Sequence, residues 1–115
     1  MNSVQLDIQQ LRIKHILFKS RLRSVLFGGD FDEGFFSERG PVDTWFAEVG
    51  MPKYSQFEQI KELYRIHREL IVLARQLISL YHNSRIEEAH DGLRLVDQKS
   101  EIFLRLLSMV EQLPV

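Results

Sequence analysis

The segment between positions 57 and 81 constrains the fold most strongly, because its apolar residues recur every three or four positions. That spacing is typical of one face of an α-helix. The intervening positions carry charge, and such a two-faced helix is stable only when its apolar face packs against other elements. The apolar face consists of Phe57, Ile60, Leu63, Tyr64, His67, Leu70, Ile71, Ala74, Leu77, Ile78 and Tyr81.

Two further long helices are predicted on either side of this one. The first runs from Ser3 to about Phe27 and ends at a pair of glycines. The last begins after a break at 82–84. The pairs Ser55/Glu58 and Ser84/Glu87 predict capping boxes at the starts of the second and third long helices. The predicted inward residues are Leu6, Leu11, Phe18, Leu22, Val25 and Leu26 in the first helix, and Ile86, Ala89, Leu93, Val96, Ser100, Phe103, Leu107 and Val110 in the last.

Residues 28–53 are irregular in pattern and contain five of the six glycines. Within them, Asp43 and Thr44 are suited to cap a short helix that carries Trp45 and closes at Gly50. Three long helices and one short helix predict an all-α fold, an antiparallel four-helix bundle that forms a single domain over residues 1–115.

The composition limits the range of functions. Fifteen Lys and Arg residues against 16 Asp and Glu residues give a net charge of −1, so we expect no nucleic-acid partner. No apolar run approaches the ~20 residues of a membrane span, and we expect no membrane insertion and a cytoplasmic location. Cysteine is absent, which excludes disulfides and thiolate chemistry. No catalytic motif is recognisable, and we expect that the chain is not an enzyme.

Two histidines, His15 and His67, fall on apolar helix faces. If their helices run antiparallel and residues 28–53 join them at one end, both rings lie roughly 18 Å from that end at ~1.5 Å per residue. Ser100 of the last helix falls in the same layer. The sequence therefore predicts a small polar layer in the core, satisfied either by hydrogen bonds among these residues, Tyr64 and water, or by a metal such as zinc.

Three short segments together resemble the chemoreceptor zinc-binding (CZB) domain family. The first is His15-Ile16-Leu17-Phe18-Lys19, the second is Gly40-Pro41-Val42-Asp43-Thr44-Trp45, and the third is His67-Arg68-Glu69-Leu70-Ile71. The family holds zinc with three histidines and one cysteine. By this resemblance His15 and His67 are metal ligands, whereas Gly40 stands at the cysteine position and Ile71 at the last histidine position, and neither can bind zinc through its side chain.

The resemblance implies a regulatory or sensory module of bacterial signal transduction, for example in chemotaxis. Its partner would be a signalling protein or an attached partner domain, and a homodimer is a further expectation. Zinc would be bound weakly through His15 and His67. Two alternatives stay open: a structural or dimerisation bundle with a vestigial metal site, and a histidine phosphotransfer bundle, for which His15 and Lys19 have suitable spacing.

Overall fold

The computed structural model describes residues 2–113, and all the regular secondary structure in that range is helical, so the predicted all-α class is confirmed. None of the helices in this range is long and apolar enough to cross a membrane. The elements in chain order are α1 (Ser3–Leu26), α2 (Pro41–Trp45), a π-helical turn (Phe46–Gly50), α3 (Met51–Tyr54), α4 (Glu58–His82), α5 (Ile86–Asp91) and α6 (Leu93–Glu111).

Helix α6 runs in the opposite direction to α1. Arg12, near the start of α1, pairs with Glu111 at the end of α6, whereas Lys19 lies 3.2 Å from the Asp97 carboxylate near its start. Along α4 the order is also reversed. The Lys99 ammonium of α6 is 2.8 Å from Glu69, whereas Gly92, at the start of α6, packs against Leu77, about two turns further along α4. Helix α6 therefore lies antiparallel to both other long helices.

Helices α1 and α4 run in the same direction. The Phe18 ring of α1 contacts the His67 ring of α4 edge-on at 5.3 Å between centroids. Further along both helices, a Cβ added at Gly28 would lie 3.6 Å from the Tyr81 hydroxyl. The antiparallel pairing of these two helices assumed from the sequence is therefore wrong, although their histidines still enter one region of the core.

The chain between α1 and α4 travels back along the whole of α1, which explains the shared direction. Phe36 lies 5.7 Å from Phe18 between ring centroids. Trp45 then donates its Nε1–H to the Asp7 carbonyl at 3.0 Å, and the Lys53 ammonium reaches the Asp7 carboxylate at 2.7 Å. The segment that contains α2 and α3 is therefore antiparallel to α1 and delivers the chain to the start of α4.

The predicted short helix is longer than its sequence signals suggested. It starts at Pro41, after Gly40, and continues through Gly50 and Pro52 to Tyr54 by way of the π-helical turn. A Cβ at Gly50 would lie 2.7 Å from the Trp45 ring, so glycine here makes room for the indole rather than ending the helix.

Neither predicted capping box forms. Ser55 has helical backbone angles and continues the turn of α3, and α4 begins after Phe57, which supplies no side-chain cap. Ser84 has a φ of 66°, in the left-handed region, and α5 begins after Arg85. In both places the tight connection between packed helices decides the backbone, and the local signal does not.

The last helix is interrupted at Gly92, which the sequence did not predict. A Cβ at this position would lie 2.2 Å from Leu77 Cδ2, so the absence of a side chain lets α5 and α6 approach α4 closely. The predicted inward residues are buried with three main exceptions, since Leu6, Tyr64 and Ile86 are exposed and Ile8 takes the inward position in place of Leu6.

A buried histidine layer

His15 projects from the inner face of α1 into the centre of the core and is fully buried. Its Nε2 and the Ser100 Oγ of α6 share a hydrogen bond of 2.7 Å. The imidazole also stacks on Phe103, one turn further along α6, with 4.2 Å between ring centroids. The predicted contact between His15 and Ser100 is therefore confirmed, and it ties α1 to α6.

Burial is the main reason that the His15 pKa falls to about 3, because a charged imidazole loses its hydration in the core. Electrostatic interaction with His67 and with Lys19 lowers this pKa further. His15 is therefore neutral over the whole physiological pH range, and a neutral imidazole has one lone pair with which to accept a hydrogen bond or bind a metal.

His67 enters the same region from α4 and is also buried. Its Nε2–H donates to Asp43 Oδ2 at 3.2 Å, and Asp43 belongs to α2. Arg68 donates to the other carboxylate oxygen of Asp43 at 3.3 Å and to Glu38 at 2.8 Å. A buried carboxylate is therefore held between an imidazole and a guanidinium, which compensates part of the cost of removing it from water.

Each histidine retains one ring nitrogen without a partner. Within residues 2–113, the Nδ1 atoms of His15 and His67 are the buried side-chain polar atoms that make no hydrogen bond. Leaving such an atom unsatisfied costs about 1–3 kcal/mol. When a histidine binds a metal through one ring nitrogen, its other ring nitrogen commonly donates to a carboxylate, as the His67 Nε2–H does here to Asp43.

The donor set does not fit a structural zinc site. Such sites normally hold zinc with four ligands. In the part of the chain that the structure describes, no group of three or more His, Cys, Asp or Glu side chains is placed to hold a metal ion. Gly40 and Ile71, at the two ligand positions that the CZB resemblance leaves empty, are both buried and offer no side-chain donor.

We predict that Gly40→Cys does not rebuild a tight site. A Cβ at this position would lie 2.4 Å from the Phe35 carbonyl oxygen, so the backbone must shift before a thiol can be accommodated. The expected cost is about 2 kcal/mol in the free energy of unfolding, measured by urea denaturation. Gly40→Ala is the matched control and should cost a similar amount. Stoichiometric zinc binding by Gly40→Cys, or a stability equal to that of the unaltered protein, would contradict the prediction.

Two features of the site were not evident from the sequence. Arg68 appeared to belong to the charged outer face, but it bridges Asp43 and Glu38. Tyr64 is a hydrogen-bond partner that the sequence suggests for the histidines, but it makes no hydrogen bond to either of them among the described residues. A surface cleft of about 400 Å³ is bordered by Asp43, Tyr64 and Arg68. The carboxylate side of the layer therefore lies at the wall of a cleft, whereas both imidazoles are enclosed.

Searches against protein-family models, curated proteins and solved structures found no match to this chain.

Proposed function

We propose that this chain is a non-enzymatic regulatory module of bacterial signal transduction, of the kind that the CZB resemblance implies. It would act in the cytoplasm through contact with a signalling protein. The observation that carries the proposal is the buried layer formed by His15 and His67, which occupy two of the three histidine positions of the resemblance. Each imidazole keeps one ring nitrogen without a hydrogen bond at a cost of about 1–3 kcal/mol, and the presence of two such rings in so small a core supports a regulatory use of the layer.

The arrangement of the helices supports this proposal. We interpret the molecule as a single-domain antiparallel four-helix bundle whose members are α1, the α2–α3 segment, α4 and α6. The contacts that reverse direction between successive members favour this interpretation. The histidine layer touches all four members, through His15 and Ser100 on one side and His67 and Asp43 on the other. A change in the layer would therefore reach all four members of the bundle.

Gene deletion with complementation tests the regulatory role. We expect that deletion changes a signalling output such as chemotactic swimming, and that the intact gene restores it. The double variant His15→Leu/His67→Leu, expressed at the same level, should fail to restore the output, whereas His82→Gln should restore it because His82 is exposed at the end of α4. An unchanged output after deletion would refute the proposal.

Weak zinc binding is a second candidate function, and the two unpartnered Nδ1 atoms favour it. They could supply two ligands, with water completing the shell. For metal-free protein we expect no change in Tm with equimolar zinc and a rise of about 2–4 °C with a large excess. His67→Gln should abolish this rise, and His82→Gln should retain it. A large shift with equimolar zinc, or no difference between the variants, would contradict this expectation.

The phosphotransfer alternative has less support. An in-line transfer requires that the donor reach a ring nitrogen, and both rings are buried against Phe18 and Phe103. Transfer of label from a phosphorylated donor protein to His15 would revive this alternative.

A further inference from the structure

The first helix has a second apolar face that the bundle does not cover. Its inner face packs into the core, whereas Leu6, Ile13, Ile16 and Leu17 are between 41% and 65% exposed. Ile13, Ile16 and Leu17 are neighbours at spacings of three and four residues, so they form one continuous patch on the helix surface. We call these four residues the outer patch of α1. A contiguous exposed apolar patch is commonly an interaction site.

Basic residues border the outer patch. Helix α1 contains five basic residues and one acidic residue, Asp7. At 100° per residue, Lys14 and Arg21 follow one edge of the patch and Arg23 lies near the other. None of these three side chains has a carboxylate within ion-pair distance among residues 2–113. Arg21 lies over the Phe35 ring, a contact that leaves its charge uncompensated.

The other charged groups of the helix are already paired. Asp7 binds Lys53 and accepts a hydrogen bond from the Tyr54 hydroxyl. Arg12 and Lys19 pair with carboxylates of α6. On the exposed face of α4, by contrast, Arg65 is paired with Glu62 and Glu69, about one turn before and after it. The uncompensated charge beside the outer patch is therefore of one sign.

We propose that the outer patch of α1 is the docking site for an acidic amphipathic helix of a partner protein. The partner's apolar stripe would cover Ile13, Ile16 and Leu17, and its flanking Glu or Asp residues would pair with Lys14, Arg21 and Arg23. Opposite charges beside an apolar seam are the usual determinants of partner choice between helices. A second copy of this chain fits less well, because it would place the same basic residues opposite one another.

This inference rests on the proposed regulatory function, since it names the surface through which the module would contact its partner. The probe is a synthetic helical peptide of about three heptads with Leu at the core positions and Glu at the flanking ones, and its matched control carries Lys in place of Glu. Binding is measured by fluorescence polarisation. We expect that the Glu peptide binds at least about tenfold more tightly than the Lys peptide, and that salt weakens its binding.

Three variants make the test specific. Ile13→Ser/Leu17→Ser should weaken binding of the Glu peptide by about tenfold. Leu95→Ser/Ile102→Ser, which alters exposed apolar residues of α6, should leave it unchanged. The reversal Lys14→Glu/Arg21→Glu/Arg23→Glu should transfer the preference to the Lys peptide. All the altered side chains are exposed or half-buried, and circular dichroism checks that each variant is folded.

Several outcomes would overturn the proposal. Equal binding of both peptides, or a charge reversal that leaves the preference unchanged, would remove the acidic helix as the partner. A homodimer in light scattering that Ile13→Ser/Leu17→Ser disrupts would assign the patch to a second copy. Binding to phosphatidylserine vesicles that the same variant abolishes, without peptide binding, would assign it to a lipid surface. In each case a deletion phenotype would persist, so failure of this surface is distinguishable from failure of the regulatory function.

Discussion

Acidification from pH 7 to pH 4 should lower the free energy of unfolding by about 3 kcal/mol through His15 alone. Its pKa is about 3 in the folded protein and 6.5 in the unfolded chain. Between these values the unfolded chain binds a proton that the folded protein does not, so stability rises with pH. The contribution of His15 is therefore fully present above about pH 6.5 and is lost progressively as the pH falls towards 3.

Urea denaturation at several pH values measures this effect, and His15→Leu isolates it. Between pH 7 and pH 4, the free energy of unfolding of this variant should fall by about 3 kcal/mol less than that of the unaltered protein, whatever the absolute stability of the variant. The groups that face the ring are Ser100, Phe103, His67 and Lys19, and all of them remain. His82→Gln, on the surface, should keep the pH dependence of the unaltered protein. The same slope in His15→Leu would show that His15 is not buried as a neutral ring.

Removal of the Asp43 carboxylate should destabilise the protein by about 3–4 kcal/mol. Asp43→Ala leaves the His67 Nε2–H without an acceptor and the Arg68 guanidinium without its buried partner. The loss at His67 occurs where water has little access, since 1% of the His67 side chain is exposed, whereas the Arg68 side chain is 32% exposed and water compensates part of its loss. The cost of leaving these groups unpaired exceeds the net value of the contacts themselves.

Two further variants control this prediction. Asp43→Asn keeps an oxygen acceptor for His67 and should cost about half as much. Glu38→Ala removes the exposed partner of Arg68 and should cost no more than about 1 kcal/mol, because surface ion pairs contribute little. Thermal or urea denaturation at neutral pH compares the three. Equal costs for Asp43→Ala and Glu38→Ala would mean that the carboxylate is not structurally important.

The helices and half of the histidine layer could be predicted because periodicity reports burial directly. His15, Phe18 and Leu22 recur on one face of α1, and Ser100 and Phe103 do so on α6. The partner of His67 could not be predicted in this way. Asp43 lies 24 positions earlier in the chain, and its contact depends on the path by which the α2–α3 segment returns along α1.

The errors in the core prediction also have a physical cause. Helix α1 carries apolar residues on two faces, so Leu6 matched the helical spacing as well as Ile8 did, yet Leu6 lies on the outer patch and Ile8 in the core. The Ser55/Glu58 capping box failed for a different reason. Tyr54 is buried and hydrogen-bonded to Asp7, which extends α3 into Ser55 and moves the start of α4.

The alternating directions of the helices have an electrostatic consequence for the histidine layer. The aligned peptide dipoles of α1 and α4 point one way, and those of α6 and of the α2–α3 segment point the other way. These dipoles do not cancel at the level of the layer, because the α2–α3 segment begins at Pro41 and Asp43 in its first turn already contacts His67. The positive end of that segment's dipole therefore lies beside the imidazoles, where it favours the Asp43 carboxylate and disfavours a bound cation or an added proton.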